Sequence, residues 1–280
     1  MVNRLIPLAS VTRCALAIAV ALAPALSFGL SSPWVAQPHI NVRLLSNKSS
    51  ISNEEKIIVG WELKPEDGWH VYWQNPGDSG MPPRIDLQSH HIISQKIAWP
   101  FPHRIPYGPL LNYGYEHVVL PIEVTLRPPQ KGTNLALTGN ASWLVCKEFC
   151  IPGKAQLSLD IPVQNQSTES KQAAVIQSFI HQVPKELPLI GSEVNDNGET
   201  LTLALYASAA VFKNVSHIAF FPVNEQLVEA ASVANLKWKN NFLEITQQRS
   251  SDYSGMPESI SGVVVLDHQH ALQFRLDTTP

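Results

Sequence analysis

The sequence is poor in cysteine, with three in 280 residues, and Cys14 falls in the leader-like first segment, so only Cys146 and Cys150 lie beyond it. A framework of several disulfides, as small secreted modules use, is therefore excluded. Methionine is equally scarce at three including the initiator, which leaves no Met-rich tract of the kind that holds soft copper. Beyond Leu30 no run approaches the ~18 consecutive apolar residues that read as a spanning helix. Nor is there an excess of positive charge: the formal net charge is −3. Removing residues 1–27 would take away Arg4 and Arg13 but no acid, leaving 18 basic against 23 acidic residues, a net charge of −5. Nucleic acid is thus not an expected partner. No G-x-S-x-G is present, so nothing announces a serine hydrolase, and a lone cysteine nucleophile would leave the second cysteine unexplained.

What is present begins with MVNRLIPLASVTRCALAIAVALAPALSFG. Arg4 and Arg13 precede an apolar run over 14–26, followed by small residues around Ala25 and Ser27. This is the pattern of a cleaved export signal over residues 1–27, with an uncleaved anchor as the rival reading. Export would place the mature chain where disulfides form.

Several later segments alternate with period two, which puts one set of side chains on each face of a strand. Ile57, Val59, Trp61 and Leu63 share one face; Val118, Leu120, Ile122, Val124 and Leu126 share another; Leu157, Leu159 and Ile161 a third. These read as half-buried antiparallel strands. With 22 prolines and many short strands between turn-rich connectors, residues 34–163 predict an immunoglobulin-like β-sandwich. Residues 164–189 read as a polar linker followed by a short amphipathic helix, with Ala173, Ile176, Phe179, Ile180 and Val183 at helical spacing and Pro184 as its stop. Strand candidates at 201–205, 215–221, 241–247, 261–266 and 271–276 place a second, smaller β-sandwich-like domain over 190–280. The expected fold class is mainly β, two immunoglobulin-like sandwiches in tandem.

The chemistry concentrates in WLVCKEFCIP (143–152). A Cys146–Cys150 bridge would close a loop of about five residues, worth roughly 2 kcal/mol in chain entropy. That is little for a chain with large cores. A close thiol pair that opens and closes reversibly is what disulfide exchange requires. Lys147 favours a thiolate and Glu148 opposes it. Spacing alone leaves three readings open: redox exchange, a fixed structural bridge, and a metal site. A two-copper cupredoxin-like pattern would need His and Met where Lys154 and Leu157 stand, and His90-His91 and His268-Gln-His270 are the visible imidazoles that could converge on thiolates instead. Zinc would need two further ligands that the spacing does not announce.

Three stretches together resemble the N-terminal periplasmic domain of the thiol:disulfide interchange protein DsbD and its relative ScsB, the suppressor of copper sensitivity protein. They are GWHVYWQNPGDSGMPPRID (68–86), WPFPHRIPYGPLLNYGYEHVVLP (99–121) and WLVCKEFCIP (143–152). The resemblance implies an immunoglobulin-like carrier of reducing equivalents that needs no cofactor. It would accept electrons from a membrane-embedded or thioredoxin-like donor and pass them to periplasmic thiol–disulfide clients. It further implies that Cys150 forms the mixed disulfide and Cys146 resolves it, that Tyr113-Gly114 lies on a loop capping the pair, and that Trp69 and Tyr72 fall near the site. Asn112 stands where the DsbD pattern has an aromatic residue, and the family's chains continue into membrane helices and a thioredoxin-like domain. A copper-handling module using the same thiolates, or an inert sandwich with a fixed bridge, are the alternatives.

Overall fold

The computed structural model describes residues 31–278, and the export signal expected over 1–27 lies outside them. The N-terminal core is enclosed by two antiparallel sheets. One runs in the order Val35–Gln37, Ile40–Ser46, Lys56–Pro65, Val118–Leu126, Ile92–Ile97, and the other Cys150–Pro162, Asn134–Cys146, Arg84–Gln88. The period-two faces read from the sequence meet here: Val59, Trp61, Leu63, Leu120, Ile122, Leu157 and Leu159 belong to one buried cluster. Trp61 and Trp143 meet edge to face across it at 6.3 Å. Each fully buried large apolar side chain contributes about 1.5–3 kcal/mol relative to exposure, so this interior holds the immunoglobulin-like sandwich together without help from a bridge.

The alternation implies strands half open to water, and the structure departs from that on one sheet. The outer face of Lys56–Pro65 and Val118–Leu126 lies under the helix Ala173–Ile180, where Ile176 is fully buried against Leu45 and Val119. Gly60 makes room: a Cβ there would lie 2.7 Å from Val119 Cγ1 and 3.0 Å from Ile176 Cγ1. The helix stops at Ile180 and does not run on to Val183, because the amides of Gln182 and Val183 turn back onto the carbonyls of Phe179 and Ile180. Such tightened i→i−3 bonds are a usual way for a helix to end.

Residues 185–277 form two four-stranded sheets. One is Lys185–Glu186, His270–Asp277, Ser259–Leu266, Ile218–Pro222; the other is Leu189–Asp196, Thr200–Ala207, Phe242–Gln248, Asn235–Lys239. Between them lies a second core that includes Leu203, Leu205, Phe220, Leu243, Ile245 and Val264. Val263 and Val265 point the other way and join the N-terminal core together with Phe221 and Ala271. The Ser259–Leu266 strand is therefore covered on both faces, which is why it carries an unbroken valine run instead of alternating.

Glu62 is a buried charged residue on the outer face of Lys56–Pro65, the face that carries Gly60, with a side chain only 7% exposed. Its carboxylate accepts from Arg43 Nε at 2.7 Å and lies 3.0 Å from His117 Nε2. Burial alone would raise its pKa, but the bonds to His117 and Arg43 outweigh it and hold the group below the ordinary 4.5. Because the folded-state pKa is depressed, the stabilisation is full above 4.5 and is lost as pH falls through the folded value. Denaturant unfolding measured from pH 6 down to pH 3 should show that acid limb, and Glu62→Gln should flatten it while lowering stability at neutral pH.

Candidate redox site

The cysteines end the two strands of the longest hairpin. Asn134–Cys146 and Cys150–Pro162 pair in register to the tip, where Cys146 stands opposite Cys150 and residues 147–149 make the turn. The two sulfurs form a disulfide, with Cα atoms 4.2 Å apart. Their surroundings differ sharply. Cys146 is fully buried at 0% exposure, while Cys150 is exposed. An incoming thiol therefore meets Cys150 first, and Cys146 lies behind it.

Cys146 is held from the other side by the backbone of His70, whose amide donates to the Cys146 carbonyl at 2.9 Å and whose carbonyl accepts the Cys146 amide at 3.0 Å. Two residues on, the strand Val71–Gly77 turns Tyr72 onto the same face. The Tyr72 hydroxyl lies 3.0 Å from Cys146 Sγ and 3.6 Å from Cys150 Sγ. Burial, and after it the proximity of Tyr107, push the Tyr72 phenol up to about 12 against a smaller opposing bond from Ser79. Tyr72 thus keeps its proton at any physiological pH and is a donor toward sulfur. The His70 imidazole packs edge-on against Tyr72, ring centroids 5.2 Å apart. Burial lowers its pKa, so it is neutral at pH 7 and supplies no cation to the pair.

The turn of the cysteine hairpin is flanked by aromatics. Trp69 is buried with its ring stacked on His39 at 3.9 Å, and its edge meets Phe149 at 5.3 Å. Phe149 itself is 57% exposed beside Cys150. The Lys147 side chain lies against Gly68, where a Cβ would come within 3.0 Å of Nζ. From the opposite side a second hairpin, His103–Tyr107 and Leu110–Tyr115, pairs with Val71–Gly77 and reaches over the turn. Its contact there is Tyr107, whose hydroxyl donates to the Glu148 carbonyl at 2.8 Å.

Of the residues singled out from sequence, the structure brings together Cys146, Cys150 and Tyr72, with Trp69 beside the turn. Tyr113 and Gly114 sit on the covering hairpin but face apart. Gly114 is paired with Tyr72, so Tyr113 turns to the opposite side of this sheet. There it is buried with its ring edge-on to Phe221 at 5.3 Å, and burial pushes its phenol up to about 12. Sequence reasoning missed Tyr107, His70 and Phe149. Only Phe149 carried a signal, as an aromatic between two cysteines in a three-residue turn. His90 and His91 lie at the turn between Arg84–Gln88 and Ile92–Ile97, and His268 stacks on His217 at 4.2 Å. Among the described residues no group of three or more His, Cys, Asp or Glu is placed to hold a metal ion.

Residues 41–162 match the family model described as thiol:disulfide interchange protein DsbD, N-terminal. Among solved structures, the N-terminal periplasmic domain of ScsB from Proteus mirabilis aligns over 89% of this chain and 98% of its own, at 19% identity and a TM-score of 0.67. That alignment shows a shared fold through both pairs of sheets. A conserved domain protein from Bacillus anthracis aligns over 91% of this chain and 94% of its own, but at 8% identity and a TM-score of 0.26, too low to carry an argument. No curated protein sequence matches the chain.

Proposed function

We propose, from the match of residues 41–162 to the DsbD N-terminal family, that the chain carries reducing equivalents outside the cytoplasm by cycling Cys146 and Cys150 between disulfide and dithiol. The observation that carries this reading is the asymmetry of the pair: an exposed Cys150, a buried Cys146, and the Tyr72 hydroxyl 3.0 Å from the buried sulfur. A fixed bridge in a sandwich needs none of these features.

In the charging half-cycle, a thiolate of a membrane-embedded or thioredoxin-like dithiol donor attacks Cys150 Sγ. The Cys146–Cys150 bond breaks, a mixed disulfide forms on Cys150, and Cys146 leaves as a thiolate. The donor's second thiolate then displaces Cys150, so the donor ends as a disulfide and the pair as a dithiol after two electrons and two protons have moved. In the discharging half-cycle, the Cys150 thiolate attacks a client disulfide, and Cys146 attacks Cys150 Sγ to release the client reduced. In both directions negative charge develops on Cys146 in a buried place. Tyr72, protonated and aimed at that sulfur, supplies the hydrogen bond that offsets the burial and makes Cys146 both a better leaving group and a better resolving nucleophile.

A hydrogen bond to a charged partner is worth about 1.5–3 kcal/mol, so Tyr72→Phe should slow reduction of the disulfide by dithiothreitol about tenfold or more. It should also move the alkylation profile of the Cys146 thiol to higher pH. Rapid-mixing kinetics and iodoacetamide labelling of the reduced protein across pH 6–10 check both. An unchanged rate and profile would remove Tyr72 from the mechanism.

A further inference from the structure

Resting on that reading, we infer that Asp78 is a positioning residue for Tyr72, through which the C-terminal sheets hold the phenol on the buried sulfur. Residues 77–80 make a tight loop against the ring of Tyr72. Gly80 has φ +100°, and a Cβ on it would fall 2.2 Å from Tyr72 Cζ. The loop therefore presses backbone directly on the phenol, and wherever the loop moves the hydroxyl is freed to follow.

Three sets of bonds fix the loop, and two reach beyond the sandwich. The Asp78 carboxylate bridges: one oxygen accepts from the Leu111 amide of the covering hairpin at 2.8 Å, the other from the Ala230 amide of the C-terminal segment at 3.1 Å. Asn75 donates through Nδ2 to the carbonyls of Pro222 at 2.8 Å and Asn224 at 3.2 Å, while its oxygen accepts from the Gly77 amide at 3.0 Å. Asn112, fully buried where the DsbD pattern has an aromatic residue, accepts from the amide and hydroxyl of Ser79 at 3.2 and 3.0 Å. On the opposite face of the small sheet, Trp73 and Tyr113 both set their rings against Phe221 of the C-terminal sheets. Arg104 lies over the same ring, 5.8 Å from its centroid. The side of the Tyr72 strand away from the disulfide is thus clamped by residues 218–230. A chain consisting of the sandwich alone would lack Ala230, Pro222 and Phe221, and the loop on Tyr72 would keep only its bonds within the sandwich, Asp78 with Leu111, Asn75 with Gly77 and Asn112 with Ser79, beside the strand pairing.

Asp78 touches neither sulfur, so its effect must pass through Tyr72. In the full chain, Asp78→Ala should slow dithiothreitol reduction about five- to tenfold, the range expected when charge-assisted bonds that fix a loop are lost. It should also raise the pH midpoint of Cys146 alkylation, as Tyr72→Phe does. The decisive measurement is the double variant: in a Tyr72→Phe background, Asp78→Ala should have no further effect on rate or midpoint. A purely structural role would slow the reaction equally in both backgrounds and overturn the inference, as would a folded Asp78→Ala with wild-type rate and midpoint. Asn75→Ala, which cuts the Pro222 and Asn224 contacts and leaves Asp78 intact, repeats the test should Asp78→Ala not fold. A wild-type disulfide inert to dithiothreitol would overturn the exchange reading and this inference together. A reducible one that responds to Tyr72→Phe but not to Asp78→Ala or Asn75→Ala overturns this inference alone.

Discussion

Cys146→Ser is expected to accumulate a mixed disulfide through Cys150, whereas Cys150→Ser should form none, and both should lose turnover down to the level of free thiols. The expectation follows from burial. With Cys146 at 0% exposure, a bulky disulfide partner cannot place its sulfur in line with it, while Cys150 at the hairpin tip is open. Removing Cys146 leaves the attacking thiol in place and deletes the neighbouring thiol that would displace the partner, so the adduct has no exit through the pair. Removing Cys150 leaves a buried thiol behind Tyr72. The measurement is non-reducing electrophoresis and mass spectrometry of the two variants after exposure to oxidised glutathione and to an oxidised thioredoxin-fold protein. Adducts on Cys150→Ser equal to those on Cys146→Ser would reverse the assignment of the two roles.

Gly114→Val should cost about 3 kcal/mol, at the upper end for overpacking a tight site, and should slow exchange as well. A Cβ at Gly114 would fall 2.2 Å from the Val71 carbonyl oxygen and 3.2 Å from Ile105 Cδ1. The first of these is backbone and cannot swing aside as the end of a long side chain would. The strand carrying Tyr72 must then separate from its partner at the one pairing that places the phenol, Tyr72 with Gly114. Thermal denaturation gives the first effect, and dithiothreitol reduction under native conditions the second. A variant with wild-type stability would show that this pairing is looser than the geometry implies.

The sandwich was legible because it is built from faces. Ile57 to Leu63 and Val118 to Leu126 alternate, and a period of two identifies the inward side without knowledge of the partner strand. What hides from such a reading is anything decided by a non-neighbour. Gly60 looks like a weak point in a strand until Ile176, more than a hundred residues later, is seen to fill the space above it. The valine run at 263–265 reads simply as a strand, and only the second core shows that both faces of it are occupied. At the site, resemblance named the Tyr113-Gly114 pair, but which of the two faces the sulfurs depends on register. A shift of one residue exchanges the faces of a strand. The register turns Gly114 toward Tyr72, sends Tyr113 to Phe221, and leaves Tyr107, at the hairpin tip, as the contact to the cysteine turn. Asn75 and Asp78 carried no signal at all in the chain, because their partners at Pro222, Asn224 and Ala230 are about 150 residues away.

The hairpin has one more implication. Its cysteines are already opposite partners at the end of a thirteen-residue ladder, so severing the bond between them liberates almost no chain. Folding and the state of this bond are consequently separable in this molecule: the disulfide can open and close without loosening the architecture, as a clasp works without bending its hinge.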